Sequence, residues 1–179
     1  MKSLRDHFEE NYRPVTEPCN NKQGFRIRYE YIGLWYRWNV EAAFLKKEKI
    51  IIGSACVFSC ILFLAGSMQD CVVNYSRYVE LFGLLSTAAY LFEFLGVVQF
   101  CLAKEKMTNM SFFDIHYKLR IAPLLHGTLL LLTAACCAAV IIQGGFFGKE
   151  MAVSASYMAA GAASLGIFAR YLKLPYCAE

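Results

Sequence analysis

Residues 50–68 read IIIGSACVFSCILFLAGSM, nineteen positions without one charged side chain. At a rise of ~1.5 Å per residue, a helix of about 20 such residues crosses the hydrocarbon core of a bilayer. Away from water a backbone satisfies its own N–H and C=O groups within one segment only as a helix, so this stretch predicts a membrane-spanning helix. Three more apolar stretches of sufficient length follow, at 79–103, 121–143 and 151–172. The links between the four, residues 69–78, 104–120 and 144–150, are short, which makes successive helices antiparallel neighbours. The expected fold is an all-α integral membrane four-helix bundle, up-down, occupying residues 50–172.

Composition agrees with a bilayer as solvent. Of 179 residues 58% are hydrophobic and only 18% charged, and mean hydropathy is +0.39. An ordinary soluble domain carries roughly a quarter charged residues. The net charge of +4 is segregated along the chain, because ten of the eighteen Lys and Arg fall in the first 49 residues. Four more lie in the 104–120 link and two, Arg170 and Lys173, at the end of the fourth span, whereas the 69–78 and 144–150 links hold one each, Arg77 and Lys149. Basic residues flanking spans stay in the cytoplasm, so the bias predicts both termini inside. It speaks for orientation in a lipid bilayer rather than for nucleic acid. Residues 1–24 lack the apolar core of a cleavable leader, and residues 1–28 read as a polar cytoplasmic segment. With no organelle signal apparent, a bacterial cytoplasmic membrane is the expected location.

Ahead of the first span, residues 29–49 place Ile32, Trp35, Tyr36, Val40, Ala43 and Phe44 at near-helical spacing. This predicts an N-terminal interfacial amphipathic helix, with Trp35, Tyr36 and Trp38 as an anchor at headgroup level or a protein-docking surface. Ser111 with Asp114 fits a capping box, predicting a short flat helix that carries Phe112, Phe113, Ile115 and Tyr117 before Pro123 opens the third span. In the fourth span Ala152, Ser156, Ala160 and Ser164 recur every four residues, a small-xxx-small face that lets helix backbones approach closely. The partner of that face is another helix of this chain or a second copy, and this span is expected to be the most buried.

Ionisable groups inside spans carry the functional interest, since a charged side chain at the bilayer centre costs about 2.5–3.5 kcal/mol on insertion scales. Glu93 lies near the middle of the second span, while Glu80 sits at its rim beside Arg77. Counting depth along antiparallel helices brings Ser59, Thr133 and Ser164 level with Glu93, with Tyr90 one turn away. His126 comes out level with Gln99, which makes a His126–Gln99 hydrogen bond the economical expectation and proton relay to Glu93 the sharper one. Three readings of Glu93 stay open: a carboxylic acid hydrogen-bonded across the bundle, a proton or cation site, and a docking contact to another protein.

Eight cysteines lack any C-x-x-C, and most lie within apolar spans, so they read as packing residues. No metalloprotease, Walker, nucleophile-elbow or paired-acid motif occurs, which leaves no expected cofactor, metal or catalytic residue. The function expected from the chain alone is a non-enzymatic accessory or structural subunit of a membrane complex, with a larger membrane protein or a second copy as partner. The alternatives are a small oligomeric transporter, channel or pore-forming effector using Glu93 and His126, and, behind it, a thiol-dependent membrane enzyme using Cys56, Cys60, Cys136 and Cys137.

Overall fold

The computed structural model describes residues 4–19, 24–145 and 148–179. The parts of the 1–28 segment and of the 144–150 link at 1–3, 20–23 and 146–147 lie outside the described residues. Four helices long and apolar enough to cross a membrane form the body: α2 (Ala42–Ser67), α3 (Arg77–Leu102), α4 (Asn109–Gly144) and α5 (Lys149–Leu172). Before them come α1 (Leu4–Asn11), β1 (Tyr12–Pro18), β2 (Phe25–Tyr31) and β3 (Trp35–Trp38); β4 (Met107–Thr108) and β5 (Tyr176–Ala178) flank α4 and follow α5. Around the bundle the helices follow the order α2, α5, α4, α3, and the α2–α3 seam closing the ring is the least packed.

No amphipathic helix occupies residues 29–41. Residues 29–31 end β2, residues 35–38 form β3, and helix begins only at Ala42, where it continues without a break into the first span. Alternation decides this segment. Phe25, Ile27, Tyr29 and Tyr31 share one face of β2 while Arg26, Arg28 and Glu30 share the other, a period of two that a helix cannot use. β1 pairs antiparallel with β2, from Tyr12 opposite Tyr31 to Pro18 opposite Phe25. Tyr31 ties this hairpin to the bundle, its hydroxyl accepting from the Asn109 N–H at 2.9 Å and donating to Leu34 O at 2.8 Å.

β3 is the central strand of a small collar, antiparallel to β4 on one side and to β5 on the other. The collar joins the N-terminal segment, the α3–α4 link and the segment after α5 at one end of the bundle. Trp38 is only 5% exposed, edge-on to Phe100 at 5.1 Å, and Tyr36 stacks on Phe112 at 4.7 Å. Trp38 therefore belongs to the core and half-buried Tyr36 packs against it, and of the three expected anchor residues Trp35 is the exposed one. Glu179 accepts from Arg37 Nε at 2.8 Å and Lys106 Nζ at 2.9 Å, and these cations, Lys106 foremost, hold its carboxyl below the ordinary value.

The expected flat helix after Ser111 is absent as a separate element. α4 runs unbroken for 36 residues, about 54 Å at ~1.5 Å each, so its first turns stand clear of a ~30 Å hydrocarbon layer. Pro123 lies within it, and Thr108 rather than Ser111 is the cap, accepting from the Ser111 N–H at 3.4 Å. At its far end Gly145 takes a left-handed φ of 66° and returns its N–H to Ile141 O, a stop that favours glycine.

Candidate functional site

Two apolar clusters fill the bundle. One, toward the collar, includes Ile52, Cys56, Val97, Phe100, Leu119 and Ile167; the other, toward the opposite loops, includes Val73, Val79, Leu130, Cys137, Val153 and Tyr157. Between them lies a polar layer built from one residue of each long helix: Ser59, Glu93, His126 and Ser164, all 0% exposed. Alternating helix direction is what brings residues so far apart in sequence to one depth.

Glu93 and His126 are the centre of this layer. His126 Nδ1 and Glu93 Oε2 are 2.6 Å apart, a separation spanned by a single proton. The Ser164 hydroxyl donates to the second carboxylate oxygen at 3.2 Å and lies 2.9 Å from His126 Nδ1. Ser59 donates to Ala160 O at 3.0 Å, and its oxygen lies 3.2 Å from the Ser164 hydroxyl, within the same cluster. Both oxygens of the carboxylate are thus engaged, as a buried acid requires. His126 Nε2 is the exception, a buried nitrogen with no hydrogen-bond partner among the described residues. The Tyr90 ring packs 5.3 Å from the imidazole, and its hydroxyl is 3.9 Å from Cys56 Sγ.

Two residues of the expected layer are elsewhere. Gln99 donates to Asp114 at 2.8 Å and accepts from Lys118 at 3.0 Å, so no His126–Gln99 bond forms. Six residues separate Gln99 from Glu93, ~9 Å along α3, and the continuous start of α4 sets His126 against Glu93 instead. Thr133 is buried but spends its hydroxyl on Leu129 O of its own helix, 2.9 Å away.

The small residues of α5 also divide differently from the expected face. Ala160 and Ser164 are buried, Ser156 is half-buried and bonded back to Ala152 O, and Ala152 is exposed. The inward face includes Val153, Tyr157, Ala160, Gly161, Ser164, Ile167 and Tyr171. At its middle a Cβ built on Gly161 would stand 3.0 Å from Gly127 O, and one on Gly127 would stand 2.9 Å from Gly161 O. This reciprocal contact, one residue from His126, is the close approach that draws α4 and α5 together. Burial is greatest in α4 and α5 alike rather than in α5 alone. The outward face of α5 includes Ala152, Ala155, Ala159, Ala162, Gly166 and Ala169, with Met151 and Met158 exposed among them.

Sequence reasoning did not find the Gly127–Gly161 crossing, nor the ion pair of Arg170 with buried Glu48 at 2.9 Å. The glycines were a readable signal, being two spaced along separate spans; the Glu48–Arg170 pairing joins residues too distant to be read together. Among the described residues no group of three or more His, Cys, Asp or Glu is placed to hold a metal ion. Comparison with known protein families, with curated proteins and with solved structures finds no match.

Proposed function

We propose that this membrane protein is a non-enzymatic accessory or structural subunit of a membrane complex, with both termini in the cytoplasm of a bacterial cell. The observation that carries this reading is the outward face of α5. α2 and α3 turn Val57, Phe58, Ile61, Leu84, Leu91 and Phe92 toward the surroundings, side chains suited to lipid, whereas α5 turns out mostly alanine and one glycine, with Met151 and Met158 as the larger members. Small residues give lipid little to hold and let another helix come close, which is how helices associate where no hydrophobic drive exists. The sequence bias, with sixteen of the eighteen Lys and Arg before the first span, in the 104–120 link or at the end of the fourth span, supports the inside placement.

The partner is a transmembrane helix of a larger protein. Ala159→Leu with Gly166→Leu tests it, because both positions point outward and a Cβ at Gly166 meets nothing within 4 Å. The double variant should insert and fold as the parent does, yet lose the partner that co-purifies from native membranes. Recovery of the parent protein alone from native membranes refutes the reading; recovery only as multiples of itself replaces the partner with a second copy.

A second reading, a small oligomeric transporter or channel, is favoured by the unpartnered Nε2 of His126 at mid-bundle. It requires Glu93→Gln to abolish proton flux in liposomes, and unchanged flux excludes it.

A further inference from the structure

A cavity of about 470 Å³ opens where the end of α3 meets the α3–α4 link and the start of α4. Its walls change character along their height. Val98, Leu102 and Ile115 supply an apolar lower part, and Lys104, Lys106, Thr108 and Ser111 a polar upper part, with Trp35 of β3 at its side. That change falls where the apolar run of α3 gives way to Lys104, so the cavity straddles the level at which acyl chains meet headgroups. Leu102 is 78% exposed, which makes the apolar wall continuous with the lipid-facing surface of α3.

The charges around it are not balanced. Asp114 is neutralised by Lys118 at 2.7 Å, and Glu179 is shared between Lys106 and Arg37. Counting the charged groups that line the cavity together with those paired to them, four cations (Arg37, Lys104, Lys106, Lys118) face two carboxylates (Asp114, Glu179). Lys104 has no ion-pair partner among the described residues. The Ser111 hydroxyl and surplus cations above an apolar slot match a phosphate joined to acyl chains.

We propose that this cavity is a binding site for one anionic glycerophospholipid, its phosphate held by Lys104 and Lys106 and its acyl chains lying along Val98, Leu102 and Ile115. The site is independent of what α5 docks against.

The chain's two tryptophans make the test direct, since Trp35 lines the cavity and Trp38 is buried beneath the collar. Full-length protein is reconstituted in phosphatidylcholine vesicles containing a minor fraction of acyl-brominated phosphatidylglycerol or, in parallel, acyl-brominated phosphatidylcholine. Quenching of Trp35 is read as the difference between the parent and Trp35→Phe, which leaves Trp38 in place. The anionic lipid should quench Trp35 at about fivefold lower mole fraction than the zwitterionic one, the preference expected from about one lysine near a lipid surface. Lys104→Gln with Lys106→Gln should abolish that preference while the circular dichroism stays unchanged. Equal quenching by the two lipids overturns the proposal. A preference removed by inorganic phosphate assigns the site to a free anion and overturns it as well, as does a preference that survives the double lysine variant.

Discussion

Replacing Glu93 by Met and His126 by Leu, singly and together, separates what the buried pair contributes from what its isolation costs. Both substitutions keep the side-chain volume close to that of the parent residue, so cavity effects stay small. Two interhelical hydrogen bonds end on the Glu93 carboxylate, from His126 and from Ser164. Such bonds contribute about 0.6 kcal/mol each on average inside membranes, and a polar group stranded in a dry core costs about 1–3 kcal/mol. Glu93→Met removes both bonds and leaves His126 Nδ1 with the Ser164 hydroxyl, 2.9 Å away, as its neighbour, for an expected loss of about 1–4 kcal/mol. His126→Leu deprives a buried carboxylate of its shortest contact and should cost about as much. The double variant removes both members and strands neither, so it should cost less than either single variant. The assay is reversible unfolding in mixed micelles by titration with sodium dodecyl sulfate, followed by far-ultraviolet circular dichroism. Costs that add to within about 0.5 kcal/mol would refute the coupling, and with it the reading of the layer as one unit.

Two further outcomes follow from the packing and the collar. Gly161→Ala pushes a methyl to 3.0 Å from Gly127 O and should destabilise the bundle by about 1–3 kcal/mol in the same titration. Gly166→Ala, with open space around it, should cost little, and equal costs at the two sites would sink the close-approach argument. The depressed carboxyl of Glu179 contributes stability that is present above its ordinary value of 4.5 and is lost as pH falls through the lower, folded value. Protection of the Trp35 and Glu179 amides from hydrogen exchange should therefore fall on acidification below 4.5. Glu179→Gln should show the weaker protection at every pH; an unchanged acid step in that variant would assign it to another group.

The membrane bundle was legible because its signal is local and redundant: residues 50–68 announce a span without reference to anything else in the chain. The polar layer was legible in part, since antiparallel counting places Glu93, Ser59 and Ser164 together with no knowledge of side chains. His126 slipped out of register because the count began at residue 121, while the actual helix begins at Asn109 and passes through Pro123. A helix start displaced by three turns displaces every depth reckoned from it. The collar was missed for a different reason. The WYRW of residues 35–38 fits either a helix or a strand on its own, and what decides it are two short partners at 107–108 and 176–178. Neither partner has enough residues to be recognised as a strand before the fold brings it to Trp35 and Trp38. On α5 the small residues were visible, but a helix carrying alanine on nearly every face has no unique phase until its neighbours are placed.

That collar also sets an order in time. Its central strand, residues 35–38, is synthesised before any span, yet one of its two partners is the stretch at 176–178. Every helix must already have been threaded into the bilayer when Tyr36 finally meets Ala178. Until then Trp38 has lost part of its cover, and an aromatic strand waits with one edge bare, the kind of surface that recruits the wrong neighbour during biogenesis. The pairing of residues 176–178 is thus a latch: it covers the bare edge of β3 beside Trp38 only after all four spans are in place.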